Sequence, residues 1–356
     1  MTNIGIIGAG MIANLHAESA SAVGSTVIAV FDPREKAAAS FGEKHGCAVQ
    51  KSVQEMLEDD NIQGIVIAVP NDMHADLAIA ALNAGKDVLL EKPMAISMLQ
   101  CDEIIAAADK SAQVLQMGFV CRYAPAAIKA KALIQDNRIG NVQQVKATLI
   151  RQRGIPGLGG WFTTKSRSGG GCLIDIGVHL IDLAMHMAKL KSPHSATGHC
   201  KQTFNMDNYT YDEMWSEPVK DGTFDVEDSV QATVEFKGGV TLHLDIAWAT
   251  DMHEGQWQDG LIIEGDRGSM VVDLWGDCIE LSETIDGVAT QTMEPVNVDE
   301  AWDEAFQSEH SAFASAIESR SLQENAGSPK DGRAVQRIVE AIYNANEAQK
   351  KVTIAN

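Results

Sequence analysis

Positive charge is scarce in this chain. Lysine and arginine number 28 against 49 aspartates and glutamates, a formal charge of -21 over 356 residues. So acidic a protein repels phosphate backbones, which argues against nucleic acid as a partner. Cysteine is scarce too. The six, at positions 47, 101, 121, 172, 200 and 278, form no Cys-x-x-Cys pair. No zinc site is expected among them, and isolated cysteines predict reduced, mostly buried thiols in a cytoplasmic protein. No run of about 18 apolar residues occurs, so no membrane span is expected. A first strand that begins by residue 3 leaves no room for a signal peptide. There is no internal repeat and no low-complexity segment. What remains is an ordinary globular composition, 45% hydrophobic and 22% charged, in a chain long enough for two domains.

The N-terminus carries a specific signal. Ile4-Gly5-Ile6-Ile7 reads as a strand that runs into Gly8-Ala9-Gly10-Met11-Ile12-Ala13 and then a helix. A second strand, 26–31, ends on Asp32. This is a dinucleotide-binding fingerprint in its proper setting. Gly8 permits the tight turn. Gly10 has no side chain to hold a pyrophosphate off the backbone, and Ala13 is small enough for close helix–strand packing. The helix start at Met11 and Ile12 offers N–H groups to the phosphates. Asp32 would accept hydrogen bonds from the adenosine ribose and repel the extra phosphate of NADP, which favours NAD. Arg34, two residues on, offers charge to a phosphate and keeps NADP as the alternative. Asp32 also reads as a helix N-cap ahead of Pro33.

Strand and helix alternate to about residue 121. Helices are expected over 33–45 and 74–84, Ser52 with Glu55 reads as a capping box, and Ser97 caps a further helix. Gly85 is placed to end the 74–84 helix. The apolar runs 64–69, 88–90 and 114–117 read as strands covered on both faces. The pattern predicts a doubly wound parallel sheet, an α/β Rossmann domain over 1–121. Beyond it the pattern changes to an α+β domain over 122–356. A helix over 125–139 leads to a long strand over 142–153, a glycine-rich loop over 154–171 and an apolar helix over 173–189. Strands with tight turns, at Lys237-Gly238-Gly239 and Asp266-Arg267-Gly268, fill 195–295, and two helices follow at about 301–320 and 330–350. This predicts an open-faced, mostly antiparallel sheet flanked by helices. The acidic, aromatic stretch 207–225 reads as an insertion loop.

Three places carry chemistry. The 173–189 helix is apolar almost all round, which marks it as buried, yet Asp175, His179, Asp182 and His186 recur at spacings of four, three and four. Buried ionisable groups are costly unless paired or used, so the stripe reads as a cleft wall. A structural Asp–His pair and a metal site are the alternatives. No cysteine or carboxylate cluster completes a ligand set, and no metal is expected. Glu91-Lys92-Pro93 closes the 88–90 strand, at the sheet edge where ligands of parallel sheets bind. There Lys92 would polarise a substrate oxygen, or form a surface salt bridge. Val69-Pro70-Asn71, with His74, closes the preceding strand and reads as passing the nicotinamide side of the cofactor, or as a plain turn.

Together these segments resemble the Gfo/Idh/MocA family of oxidoreductases. The matching pieces are 8–13 with His16, 69–71 with His74, 85–88 into Glu91-Lys92-Pro93, Met117-Gly118-Phe119 into Arg122-Tyr123, and 169–179. The resemblance implies a nicotinamide-dependent oxidoreductase acting on a sugar or cyclitol hydroxyl, with Lys92 catalytic beside Asp175 and His179. It also implies cofactor contacts from Gly8, Gly10, Met11, Ile12, Asp32, Val69, Pro70, Asn71, His74, Glu91, Lys92 and Arg122, and from an aromatic pair, Trp161 and Phe162. A homodimer or homotetramer joined through the open sheet is implied as well. One departure is Val120-Cys121 before Arg122, where many members carry an asparagine ahead of the arginine. In this reading His179 takes the hydroxyl proton, Asp175 orients it and Lys92 stabilises the alkoxide. A glycosidase that oxidises its sugar transiently with bound NAD, or a cofactor-sensing regulator without activity, would share the fold. Arg151, Arg153, Lys165 and Arg167 read as meeting an acidic sugar or a phosphate, or as pairing with the protein's own carboxylates.

Overall fold

A computed structural model describes residues 2–210, 218–251, 258–299 and 301–354. The chain divides into two compact units. One comprises Met1–Tyr123 with Trp302–Arg333, the other Ala124–Ala301 with Ala334–Asn356.

The first unit holds a six-stranded parallel sheet in the order β3-β2-β1-β4-β5-β6. Its strands are β1 (Asn3–Ile7), β2 (Thr26–Phe31), β3 (Ala48–Val49), β4 (Gly64–Ile67), β5 (Asp87–Glu91) and β6 (Leu115–Gly118). β4 and the apolar centre of β5 are buried as their runs require, and Asp87 and Glu91 at the ends of β5 are buried with them. The expected helix signals are present. Ser52 Oγ accepts the Glu55 N–H at 3.1 Å, and Ser97 Oγ accepts the Gln100 N–H. The helix after β2 starts at Glu35, two residues later than Pro33 suggested.

A helix from far along the chain, Ala301–Ser319, completes this core. Its Phe313, Ala316 and Ile317 pack with Ile4, Ile6, Val66 and Leu89. Burying Phe313 and Ile317 contributes about 1.5–3 kcal/mol each. Arg320 adds a 2.7 Å ion pair to Asp87.

The second unit holds a nine-stranded sheet in the order β14-β13-β12-β11-β7-β10-β9-β8-β15. Its strands are β7 (Val142–Ile150), β8 (Pro193–Lys201), β9 (Ser229–Phe236), β10 (Thr241–Ala247), β11 (Gln258–Gly265), β12 (Gly268–Asp273), β13 (Cys278–Ile285), β14 (Val288–Pro295) and β15 (Val352–Thr353). All neighbours pair antiparallel except β7 with β10. Both expected hairpins form, β9 with β10 and β11 with β12. The Pro125–Gln135 helix and β7 end before 139 and 153. Of the 207–225 stretch, residues 211–217 lie outside the described residues.

The apolar helix is not uniform. Leu173–Gly177 is a π turn and Val178–Met187 is α-helical. The wider π turn breaks the 100° spacing between Asp175 and the residues after it, so the four polar residues do not form one regular stripe. The stretch Lys165–Met187 has the length and apolar composition of a membrane span, but its apolar window is 78% buried inside the protein.

Candidate active site

The candidate nucleotide-binding half lies at the C-terminal edge of the parallel sheet. Gly8 has φ +108°, and a Cβ there would lie 2.1 Å from the Ala68 carbonyl oxygen. Only glycine permits this approach of β1 to β4. At Gly10 the opposite holds, since a Cβ would meet nothing within 4 Å. Gly10 is also the N-cap of the Met11–Ala22 helix, and no side chain caps it. An open space over a helix N-terminus fits a bound pyrophosphate.

Asp32 ends β2 with its carboxylate tightly held. Oδ2 accepts the Ala9 N–H at 2.9 Å and Arg34 Nη2 at 2.8 Å. Oδ1 accepts the Arg34 N–H and Nε at 2.8 and 2.9 Å. Burial pushes its pKa up, but the Arg34 side chain and the amides of Arg34 and Ala9 outweigh it and hold the carboxyl below its ordinary range. Arg34 is thus occupied by Asp32.

His74 connects the two loops that follow β4 and β5. Its Nδ1 lies 2.7 Å from the Pro93 carbonyl oxygen and its Nε2 3.0 Å from that of Val69. Burial drives its pKa down, against the pull of both carbonyls. The ring therefore sits between the Val69–Asn71 segment and the Lys92–Pro93 turn, and its one N–H when neutral donates to one of the two carbonyls. The Lys92–Pro93 bond is cis. Glu91 points inward: Oε1 lies 2.9 Å from His16 Nε2, and Oε2 accepts the Lys92 N–H at 3.0 Å. Arg122 is buried. Its Nη1 donates to the Ala326 carbonyl at 3.1 Å, its Nη2 lies 3.3 Å from Asp331, and the guanidinium sits over the Phe119 ring.

The second unit holds a polar set of its own. Trp248, fully buried, donates its Nε1–H to Asp175 Oδ2 at 2.8 Å. Arg151 lies near Asp175 and Asp259. Burial pushes the Asp259 carboxyl up to about 6, with Arg151 pulling down and Asp273 pushing up. His186 Nε2 lies 3.0 Å from Lys131 Nζ. Trp161 and Phe162 stack with centroids 3.7 Å apart. Their loop is held by buried Thr163, whose hydroxyl donates to the Thr223 carbonyl and accepts the Gly159 N–H. Arg153 pairs with Asp251 at 2.7 Å.

Trp248 and Glu227 were not legible as site residues. Glu227 accepts the amides of Gly171 and Leu173 and the Tyr343 hydroxyl, and so fixes the start of the Asp175 helix. Burial raises its pKa against those donors. Nothing local in the sequence joins residues 56 positions apart.

Asp259 gives a stability prediction. A carboxyl whose folded pKa is raised keeps its proton longer in the folded state. The stability it carries is therefore lost as pH rises from about 4 to about 6. Asp259→Asn should gain on the wild type across that window, by about 3 kcal/mol at most. Melting curves at pH 4 and pH 7 test this, and a difference that does not change with pH contradicts it.

Comparison with known proteins matches both units. Residues 2–119 match the family described as "Oxidoreductase family, NAD-binding Rossmann fold". Residues 127–271 match the "GFO/IDH/MocA C-terminal domain". Among curated proteins, the D-glucoside 3-dehydrogenase of Escherichia coli (strain K12) is 32% identical over 70% of this chain and 71% of its own. The myo-inositol 2-dehydrogenase of Thermotoga maritima is 28% identical over 52% of this chain, which spans about half (54%) of that relative. A solved levoglucosan dehydrogenase in complex with NADH and levoglucosan has the same fold, with a TM-score of 0.87 at 22% identity over 100% of both chains.

Proposed function

This chain belongs to the Gfo/Idh/MocA oxidoreductase family, and from that premise we propose that it is an NAD-dependent dehydrogenase of a secondary hydroxyl on a sugar, sugar derivative or cyclitol. One observation carries the reading. Lys92 stands at the end of β5, on the sheet edge that also holds the Gly8–Gly10 turn and Asp32. Similarity to dehydrogenases named for a glucoside and for myo-inositol supports the substrate class.

Gly8, Gly10, Met11, Ile12 and Asp32 would hold the dinucleotide, and Val69, Pro70, Asn71 and His74 would flank its nicotinamide. Glu91, Arg122, Trp161 and Phe162 are proposed to bound the same site. When bound, the nicotinamide supplies the hydride acceptor. Lys92 holds the developing alkoxide with its ammonium. His179 takes the hydroxyl proton, and Asp175, itself fixed by Trp248, orients His179 or binds a neighbouring hydroxyl. Residues 1–121 would serve the cofactor, and residues 122–356 the substrate and assembly.

Assembly as a homodimer or homotetramer is proposed through the outer face of the nine-stranded sheet. A row formed by Lys146, Ile262, Val271, Glu280 and Met293 crosses five strands there. Its three apolar members are exposed. Six free thiols fit a reducing compartment such as the cytoplasm.

A panel of pyranosides, sugar acids and cyclitols with NAD, followed by NADH absorbance, tests the activity. Turnover of at least one member is expected, and none with any member contradicts it. Asp32 sets the cofactor preference. Asp32→Ala should weaken NADH binding roughly tenfold or more and free Arg34 for a phosphate, which narrows the preference over NADPH. Fluorescence titration with both cofactors checks this, and an unchanged ratio counts against it.

A further inference from the structure

A second polar cluster lies in the first unit, behind Lys92. His16, Glu91, Glu309 and His310 are all buried, and Glu309 is 0% exposed. His16 Nδ1 lies 2.9 Å from His310 Nε2, and His16 Nε2 lies 2.9 Å from Glu91 Oε1. The nearest ligand atoms of His16, Glu91 and Glu309 all fall within 4.8 Å of one another. Neither Glu309 oxygen has a hydrogen-bond partner among the described residues.

With His16 neutral, these contacts allow one arrangement of the protons. A carboxylate accepts and never donates, so an ionised Glu91 needs donors on both oxygens. His16 Nε2–H supplies one and the Lys92 amide the other. His16 Nδ1 must then accept from His310 Nε2–H. In this arrangement every donor in the chain points toward Glu91, as an anion at that position requires. Glu309 has no donor at either oxygen. As an anion it would be buried, unsolvated and beside a second carboxylate, which is the least favourable state for it. Burial and the charge of Glu91 both push its pKa well up, and burial holds His310 neutral.

We propose that, of the buried neighbours Glu91 and Glu309, Glu309 is the protonated, neutral acid, and that the His310–His16 chain keeps Glu91 as the anion that anchors the Lys92 turn. Glu309, His310 and His16 are then positioning residues, acting on Lys92 through Glu91. The cluster is not a cation site in this account, because both His16 ring nitrogens and both Glu91 oxygens already have hydrogen-bond partners. The functional part rests on the catalytic role given to Lys92 above, and the protonation part does not.

Infrared difference spectroscopy tests the protonation directly. The wild-type spectrum minus that of Glu309→Gln at pH 7 should show one protonated-carboxyl stretch that shifts in D2O. Should Glu309→Gln fail to fold, Glu309→Asp should move the same band. Absence of the band overturns the proposal. So does one equivalent of divalent metal in purified wild type that Glu309→Gln loses. The linkage has a definite sign. A raised folded pKa means the wild type loses stability relative to Glu309→Gln as pH rises from 5 to 8, and a gap in melting temperature that ignores pH overturns the assignment. For the positioning role, His16→Leu should lower kcat at least tenfold with KM and NADH affinity within twofold. Loss of NADH affinity in parallel overturns it. If wild type turns over no panel sugar, the proposed activity fails, while the infrared result still decides the protonation of Glu309.

Discussion

Replacing Lys92 with alanine is expected to lower kcat by about 10²–10⁴-fold, the range typical of a lost positioned acid–base or electrostatic group. NADH affinity should stay within about threefold, because the proposed dinucleotide contacts are made mainly by the Gly8–Gly10 turn, the helix start and Asp32. Lys92→Arg should not restore the rate. Its planar fork cannot place a compact ammonium on the reacting oxygen, although the charge is kept. His179→Ala should be damaged as well. Steady-state rates on the best panel substrate, together with an NADH titration of each variant, separate the outcomes. Near-normal turnover in both alanine variants would remove Lys92 and His179 from the chemistry. A loss of NADH affinity as large as the loss of kcat would instead make Lys92 a cofactor ligand only.

The second large effect separates two glycines of one turn. At Gly8 the backbone has φ +108° and the Ala68 carbonyl oxygen stands 2.1 Å from where a Cβ would sit. Gly8→Ala therefore combines a strained backbone with an overlap against main chain that cannot rotate away. The expected cost is about 3 kcal/mol or more, a fall in melting temperature of roughly 6 °C or more. At Gly10 a Cβ meets nothing within 4 Å and the backbone is ordinary for any residue. Gly10→Ala should leave the melting temperature within about 1 °C yet weaken NADH at least about tenfold, because the added methyl stands where the pyrophosphate approaches. Equal destabilisation by both substitutions would contradict this division. So would full NADH affinity in Gly10→Ala.

Much of this was legible in the sequence because it is encoded locally. The Gly8–Ala13 turn, the acid that closes β2 and the apolar runs of β4 and β5 each declare themselves within a few residues. The parallel and antiparallel halves follow from the switch between strand–helix alternation and consecutive strands. What was not legible depends on pairing at long range. The Ala301–Ser319 helix shows an apolar face, but periodicity does not say which surface covers it, and it packs in the first unit. The π turn at Leu173–Gly177 leaves no mark in a pattern read at 3.6 residues per turn. Trp248 on Asp175, and Glu227 on Gly171 and Leu173, are contacts made only by the fold. Arg34, read as free to meet a phosphate, instead has both Asp32 oxygens.

Crystals grown with NADH and a sugar that the panel shows to be turned over give the most direct test. The account predicts that the ammonium of Lys92 and a ring nitrogen of His179 both come within hydrogen-bond reach of the reacting oxygen, with the nicotinamide on the opposite side of that carbon. A dinucleotide bound away from the Gly8–Gly10 turn, or a sugar oxygen that neither side chain reaches, would contradict it.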